Sequence, residues 1–229
     1  MVTKCRRFFI MLMATSCCMA HLWAQESEEK EGVKLSGQVM FFSSTNSNLT
    51  GGIFNDMPAI RGFVTASKGG FALGAGRNSD LIEPKSPANV SILMPSYTKT
   101  FGNYGIIIAT EIYLFDQFIN LDVIAPSMTL SRKGAINLEM FVAYGWCFQG
   151  EQYDNLLTQR LAVSKEYAGY TFKLTGWNVN WGTHRNAVAF EISKSLTDRV
   201  RVFISGNVNH NYDTDVTQKF GVVRMAYSF

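Results

Sequence analysis

Eight charged residues of this chain sit in segments where residue type alternates: Arg61, Glu111, Glu139, Arg160, Lys173, Glu191, Arg201 and Arg224. Alternation separates an apolar set from a polar set, as the two faces of a β-strand do. A charge in such a setting is tolerated only where water or a counter-charge compensates it. With five cations against three carboxylates, the set could line a polar pathway biased toward small anionic or polar solutes. It could equally pair off into a salt-bridged plug. Nucleophilic chemistry would need a serine or its equivalent beside a base. The histidines past residue 24 are His184 and His210, and Ser205 lies just before His210, but no catalytic motif accompanies them. Thr183-His184-Arg185 reads as a polar loop tip. Asp213 and Asp215 could hold Ca²⁺ only with further oxygen ligands, so no metal or cofactor is expected. Gly74-Ala75-Gly76 lies within a strand pattern with no helix after it, which excludes a nucleotide-binding loop.

The elements that position these residues follow from the same period. In 135–148, Ile136, Leu138, Met140, Val142, Tyr144, Trp146 and Phe148 share one face. Asn137, Glu139, Phe141, Ala143 and Gly145 share the other. Helical spacing would scatter both sets. Similar alternation runs through 33–42, 104–115, 187–193, 200–209 and 217–229, and less regularly through 59–67, 71–78, 89–99, 119–131, 156–166 and 170–179. Pro95 and Pro126 interrupt two of these segments and predict bulges or strand ends. About twelve strands result. The expected fold is all-β, a single up-and-down antiparallel barrel.

The connections alternate as well. Those after even-numbered strands are short: 68–70, 101–103, 132–134, 166–169 and 196–198. Those after odd-numbered strands are mostly longer and more polar, at 43–58, 79–88, 149–155 and 210–216, with 115–118 and 180–185 as brief exceptions. Short turns on one rim and long loops on the other characterise barrels that cross a membrane. Apolar residues make up 47% of the 229 residues and mean hydropathy is close to zero. That is too polar for a bundle of membrane-spanning helices.

Residues 1–24 read as a cleaved export signal. Lys4, Arg6 and Arg7 precede an apolar core over 8–14, and Leu22-Trp23-Ala24 offers a cleavage site before Gln25. Removing those three basic residues takes the formal charge from +3 to zero, so nothing argues for a nucleic-acid partner. Cys5, Cys17 and Cys18 leave with the signal, and Cys147 alone cannot form an intramolecular disulfide. Lipidation of Cys17 after Ala14-Thr15-Ser16 is the rival reading, weakened by the missing Leu at position 14. Residues 25–32 form an acidic, flexible leader, and 33–229 show no break in composition and read as one barrel domain.

The last strand is the most specific feature. Gly221, Val223, Met225, Tyr227 and Phe229 fall on one face, opposite Val222, Arg224, Ala226 and Ser228. A terminal aromatic, preceded by alternating apolar residues and an upstream Gly, resembles the β-signal of Gram-negative outer-membrane β-barrel proteins. The signal peptide ending in Ala-Gln is similar to those of Bacteroidota. The resemblance implies an outer-membrane location, contact with outer-membrane lipids and recognition by the barrel-assembly machinery. A secreted β-sandwich ending in Phe is the competing reading. It leaves the two-rim asymmetry unexplained.

Three functional expectations follow. The first is a narrow passive channel for small hydrophilic solutes, lined by the eight charged residues. The second is a closed structural or surface-interaction barrel that uses the loops at 43–58 and 210–216. A lipid-modifying enzyme built on Ser205, His184 or His210 is the third, and enzymatic activity is not the expected outcome. Trp146, Phe148, Trp177, Trp181, Tyr104 and Tyr113 are expected in aromatic girdles at the membrane interfaces. The small residues Ala72, Gly74 and Gly76 leave room inside, or accommodate a bulky neighbour.

Overall fold

The computed structural model describes residues 32–46, 53–55, 57–83, 86, 89–116, 122–147 and 155–229. The export signal with Cys17, nearly all of the leader, Asn48-Leu49-Thr50, Phe148 and 149–154 lie outside the described residues. The strands are β1 (Lys34–Phe42), β2 (Thr45–Asn46), β3 (Ile53–Asn55), β4 (Ala59–Lys68), β5 (Phe71–Asp80), β6 (Val90–Phe101) and β7 (Tyr104–Phe115). They continue as β8 (Val123–Arg132), β9 (Asn137–Cys147), β10 (Leu156–Tyr167), β11 (Tyr170–Asn180), β12 (His184–Ser195), β13 (Val200–Asn211) and β14 (Val216–Ser228). Twelve of them, β1 and β4 to β14, close a barrel in sequence order, and β1 pairs antiparallel with β14. Strands β2 and β3 form a small separate ladder within the first long connection.

Pairing of 38–42 with 224–228 closes the sheet on itself, and a strand structure that crosses lipid needs such closure because hydrocarbon offers the backbone no hydrogen-bond partner. The outer face is apolar for the same reason. On β9, Leu138, Met140, Val142 and Tyr144 are exposed while Phe141 and Ala143 are buried. Exposed apolar side chains recur around the wall, among them Ile108 on β7, Leu161 on β10, Phe190 on β12 and Ile204 on β13. A continuous apolar exterior is stable against hydrocarbon and would aggregate in water.

One rim carries both ends of the barrel chain and the tight turns. At Gly69-Gly70 both residues have positive φ, 56° and 85°, the geometry of a two-residue hairpin turn whose twist matches its strands. Ala168-Gly169 does the same with φ of 50° and 76°, although Ala168 pays a steric penalty that Gly69 avoids. The opposite rim carries the longer connections. The one after β7 runs 116–122 and so is not brief, whereas 181–183 after β11 is, and the connection after β13, expected as a longer loop over 210–216, is only 212–215 because both strands extend into it.

Neither proline creates a bulge. Leu93↔Ile112 and Ser96↔Ala109 keep one register on both sides of Pro95. Ile124↔Trp146 and Ser127↔Ala143 do so around Pro126. Each proline, having no N–H to donate, lies at a gap of two residue pairs in the ladder on one side of its strand. Strand β12 also extends beyond the expected 187–193 at both ends.

At the closing seam, Gly37 and Phe229 exchange backbone hydrogen bonds of 2.8 and 2.9 Å. The Phe229 ring covers Gly37 so closely that a Cβ there would collide with it. The stripe Val223, Met225, Tyr227 and Phe229 is exposed on the outer face, while Val222 and Ala226 are buried.

Candidate functional site

All eight charged candidates lie on the inner face, because each shares the parity of buried neighbours on its strand. Arg160 donates to Glu139 at 2.8 Å across the β9–β10 ladder. Arg224 pairs with Glu191, and both side chains are under 20% exposed at 17% and 19%. The Tyr113 hydroxyl donates to Glu111, which the charges of Arg160 and Arg61 also reach. These groups come from β4, β7 and β10, so the charged layer spans the interior. Lys173 faces Glu191 on the neighbouring strand and feels Glu139, but has no carboxylate within 4.0 Å among the described residues. Arg61 likewise has none. Arg201 stands apart near the turn rim, where its Nε donates to Ser195 Oγ at 3.2 Å.

Below this layer, toward the turn rim, lies a cavity of about 710 Å³. Ser131, Asn137, Glu139, Ser164, Glu166 and Lys173 give it a polar, charged lining. Above the layer the interior divides into two walls. On β7 to β11 the inner residues Phe141, Ala143, Leu156 and Val179 form a buried cluster with Tyr113, Trp177 and Trp181 against it. Val123 and Ala125 continue it toward Phe115. On β12 and β13 the inner residues there are Ala187, Ala189, Asn207 and Asn209, with Ser205 level with Glu191, all five buried. Asn207 donates to Ser205 Oγ at 3.2 Å, yet the amide oxygens of Asn207 and Asn209 meet no protein donor among the described residues.

Three of the expected girdle aromatics are therefore interior. Trp177 shares the parity of Lys173, and Tyr113 that of Glu111, so the pattern already assigned both to the inner face. Interior packing competes with the interfacial preference of aromatics and wins here. Tyr104 and Trp146 do face outward, and Trp146 stacks edge-on with Tyr144 at 4.9 Å. The space beside Gly74 and Gly76 is taken by the Phe63 ring from β4.

The nucleophile–base pairing is not assembled. Ser205 is buried on the inner face, while His210 faces outward on the same strand. There His210 meets Thr217 Oγ1 at 2.9 Å, the Tyr212 ring at 4.5 Å and Asp215 at 3.9 Å. His184 stacks on the other side of Tyr212, and its backbone N–H donates to Asp213 at 2.8 Å. Asp213 thus caps a strand start, and Asp215 sits in a turn with φ of 52°. Among the described residues no group of three metal-ligating side chains occurs. One charged pair that parity places outside is Arg77 with Asp116, just past β7. The guanidinium's hydrogen bonds hold the Asp116 carboxyl below the ordinary aspartate range.

No family model matches this sequence, and no curated protein is similar enough to count as a relative. Solved structures are similar in shape. The KdgM porin superposes with a TM-score of 0.59 at 9% identity, covering 86% of this chain and 99% of that one. A second structure of that porin, with the same values, is a complex with disordered oligogalacturonate. The NanC porin gives 0.52 at 14% identity, with 86% and 99% covered. At such identities likeness speaks for the fold alone. This chain folds as a closed twelve-stranded antiparallel β-barrel, similar in fold to those porins.

Proposed function

We propose that the chain is exported by residues 1–24 and forms a narrow passive channel in the outer membrane for small hydrophilic solutes, anionic ones preferred. The observation that carries this reading is the charge balance of the inner layer. Arg61, Arg160, Lys173 and Arg224 outnumber Glu111, Glu139 and Glu191 by one cation, and while Arg160 and Arg224 hold ion pairs, Arg61 and Lys173 have no carboxylate within 4.0 Å among the described residues. Uncompensated cations in a confined aqueous passage raise the local concentration of anions. The polar cavity beside Lys173 gives such solutes a vestibule on the turn rim. The oligogalacturonate in the KdgM complex makes sugar acids a reasonable first probe. In this reading the long-loop rim faces the outside, the apolar outer face contacts lipid, and Gly221, Val223, Met225, Tyr227 and Phe229 are read by the barrel-assembly machinery.

A second reading rests on the buried cluster of Phe141, Leu156, Val179, Trp177 and Trp181. If that cluster closes the passage, the barrel is structural and acts through its outer loops. Liposome swelling with galacturonate against galactose separates the two. The channel reading expects faster swelling with the acid. Absence of both swelling and single-channel current in correctly folded protein overturns it.

A further inference from the structure

Three inner-face arginines share a device that their charges alone do not reveal. Arg160 lies over the Phe141 ring at 4.4 Å, and Arg224 over Phe203 at 4.8 Å. In both cases ring and arginine are direct partners across a ladder. Arg61 lies over Phe42 at 5.1 Å, its diagonal neighbour, since Met40 is the residue opposite Arg61. An aromatic face attracts a guanidinium through its quadrupole, so it orients the cation without cancelling its charge. A carboxylate does both. Arg160 and Arg224 have ring and carboxylate together. Arg61 has the ring, no carboxylate within 4.0 Å, and a buried Nε that meets no acceptor among the described residues. It feels the charge of Glu111 from β7, and Arg224 from β14 feels its like charge.

We infer that Phe42 is a positioning residue for ion selectivity, holding Arg61 at the lumen wall as a cation without an ion-pair partner, and that Arg61 is the main determinant of anion preference. This rests on the channel reading. A long, unsupported arginine in a wet lumen samples many rotamers. It would also drift away from the like charge of Arg224. The ring removes that freedom at no electrostatic cost. Lys173 has no comparable support, because among the described residues no aromatic ring lies beneath its ammonium.

The test is the reversal potential of single channels in a KCl gradient, which gives the chloride-to-potassium permeability ratio. Arg61→Gln should lower the ratio roughly tenfold, since one unit charge acting through water at about 6 Å shifts the anion and the cation about threefold each in opposite senses. Arg77→Gln removes an outward-facing cation and should leave the ratio unchanged. Phe42→Leu keeps the charge but removes the ring, and should carry the ratio most of the way to the Arg61→Gln value. Phe42→Tyr should restore it. A Phe42→Leu channel with the wild-type ratio overturns the positioning role, and an Arg61→Gln effect no larger than that of Arg77→Gln overturns the selectivity role. The Arg61 Nε–H proton resonance in micelles, assigned by its loss in Arg61→Gln, supplies a readout independent of current. It should carry an upfield ring-current shift that disappears in Phe42→Leu. An unshifted resonance in the wild type overturns the stacking itself. Absence of any wild-type current beside a shifted resonance overturns the channel reading and the selectivity claim with it, while the stacking stands.

Discussion

The two inner walls above the charged layer belong to one continuous sheet, yet they are built from opposite chemistry. The β7–β11 wall packs aromatic and aliphatic side chains into a dry cluster around Phe141, Leu156 and Val179. The β12–β13 wall carries small and amide side chains, with Asn207 and Asn209 presenting amide oxygens that no donor among the described residues satisfies. The first wall resembles the core of a soluble protein. The second is suited to water or a hydroxylated solute. The difference teaches that inner-face parity assigns a side chain to the interior and no further. Whether that interior is core or passage depends on what stands opposite.

The comparison breaks most directly at Leu156, which is 1% exposed. Leu156→Ala should cost about 2–5 kcal/mol, read as a shift of the urea unfolding midpoint of the micelle-refolded protein. Asn207→Ala, at a position also buried (5% exposed), should cost at most about 1.5 kcal/mol, because it removes one hydrogen bond together with an unsatisfied oxygen. Equal losses at the two positions would mean that the polar wall is packed core as well.

Next in size is the inner ion pair. Glu191→Gln leaves Arg224 without its counter-charge among apolar neighbours, and should cost about 2–4 kcal/mol by the same midpoint. Its outer counterpart sharpens the contrast, since Arg77 and Asp116 are 48% and 39% exposed and solvent screens them. Asp116→Asn should therefore cost less than about 1 kcal/mol.

The smallest effect is that pair's pH dependence. The folded Asp116 carboxyl titrates below its unfolded value because Arg77 hydrogen-bonds the charged form. Its contribution is present above the ordinary aspartate value of about 3.9 and is lost as pH falls through the lower folded value. The Asp116 carboxyl carbon shift, followed by NMR across that acid range, should titrate late in the wild type and at the ordinary value in Arg77→Gln. Identical titrations would show that the pair does not form in solution.

Much of this was legible in the residues. Period-2 alternation in 135–148 marks β9, which spans Asn137–Cys147, because a strand and a lipid-facing exterior impose the same period. Parity also put Arg224 opposite Met225 and Tyr227. Where one signal overlay another, the reading went astray. Trp177 and Trp181 look like girdle residues by type, and only their parity with Lys173 says otherwise. Pro95 and Pro126 look like breaks, but the ladder absorbs a missing donor by skipping pairs without an extra residue. Phe63 over Gly74 and Gly76 was open to either reading, since a cavity and a filled notch have the same small residues.

By itself, then, the sequence determined the number of barrel strands and their faces, though not the small β2–β3 ladder, because these depend on neighbours along the chain and on a solvent that is apolar outside. Only the tertiary structure decided which inner residues meet. The stack of Arg61 on Phe42, the pairing of Arg224 with Glu191, and the packing of Tyr113 and Trp181 against one buried cluster are set by register and closure. The physical reason is range. Alternation is a property of successive residues, whereas compensation of a charge in the interior depends on groups that only the closed barrel brings within a few ångströms.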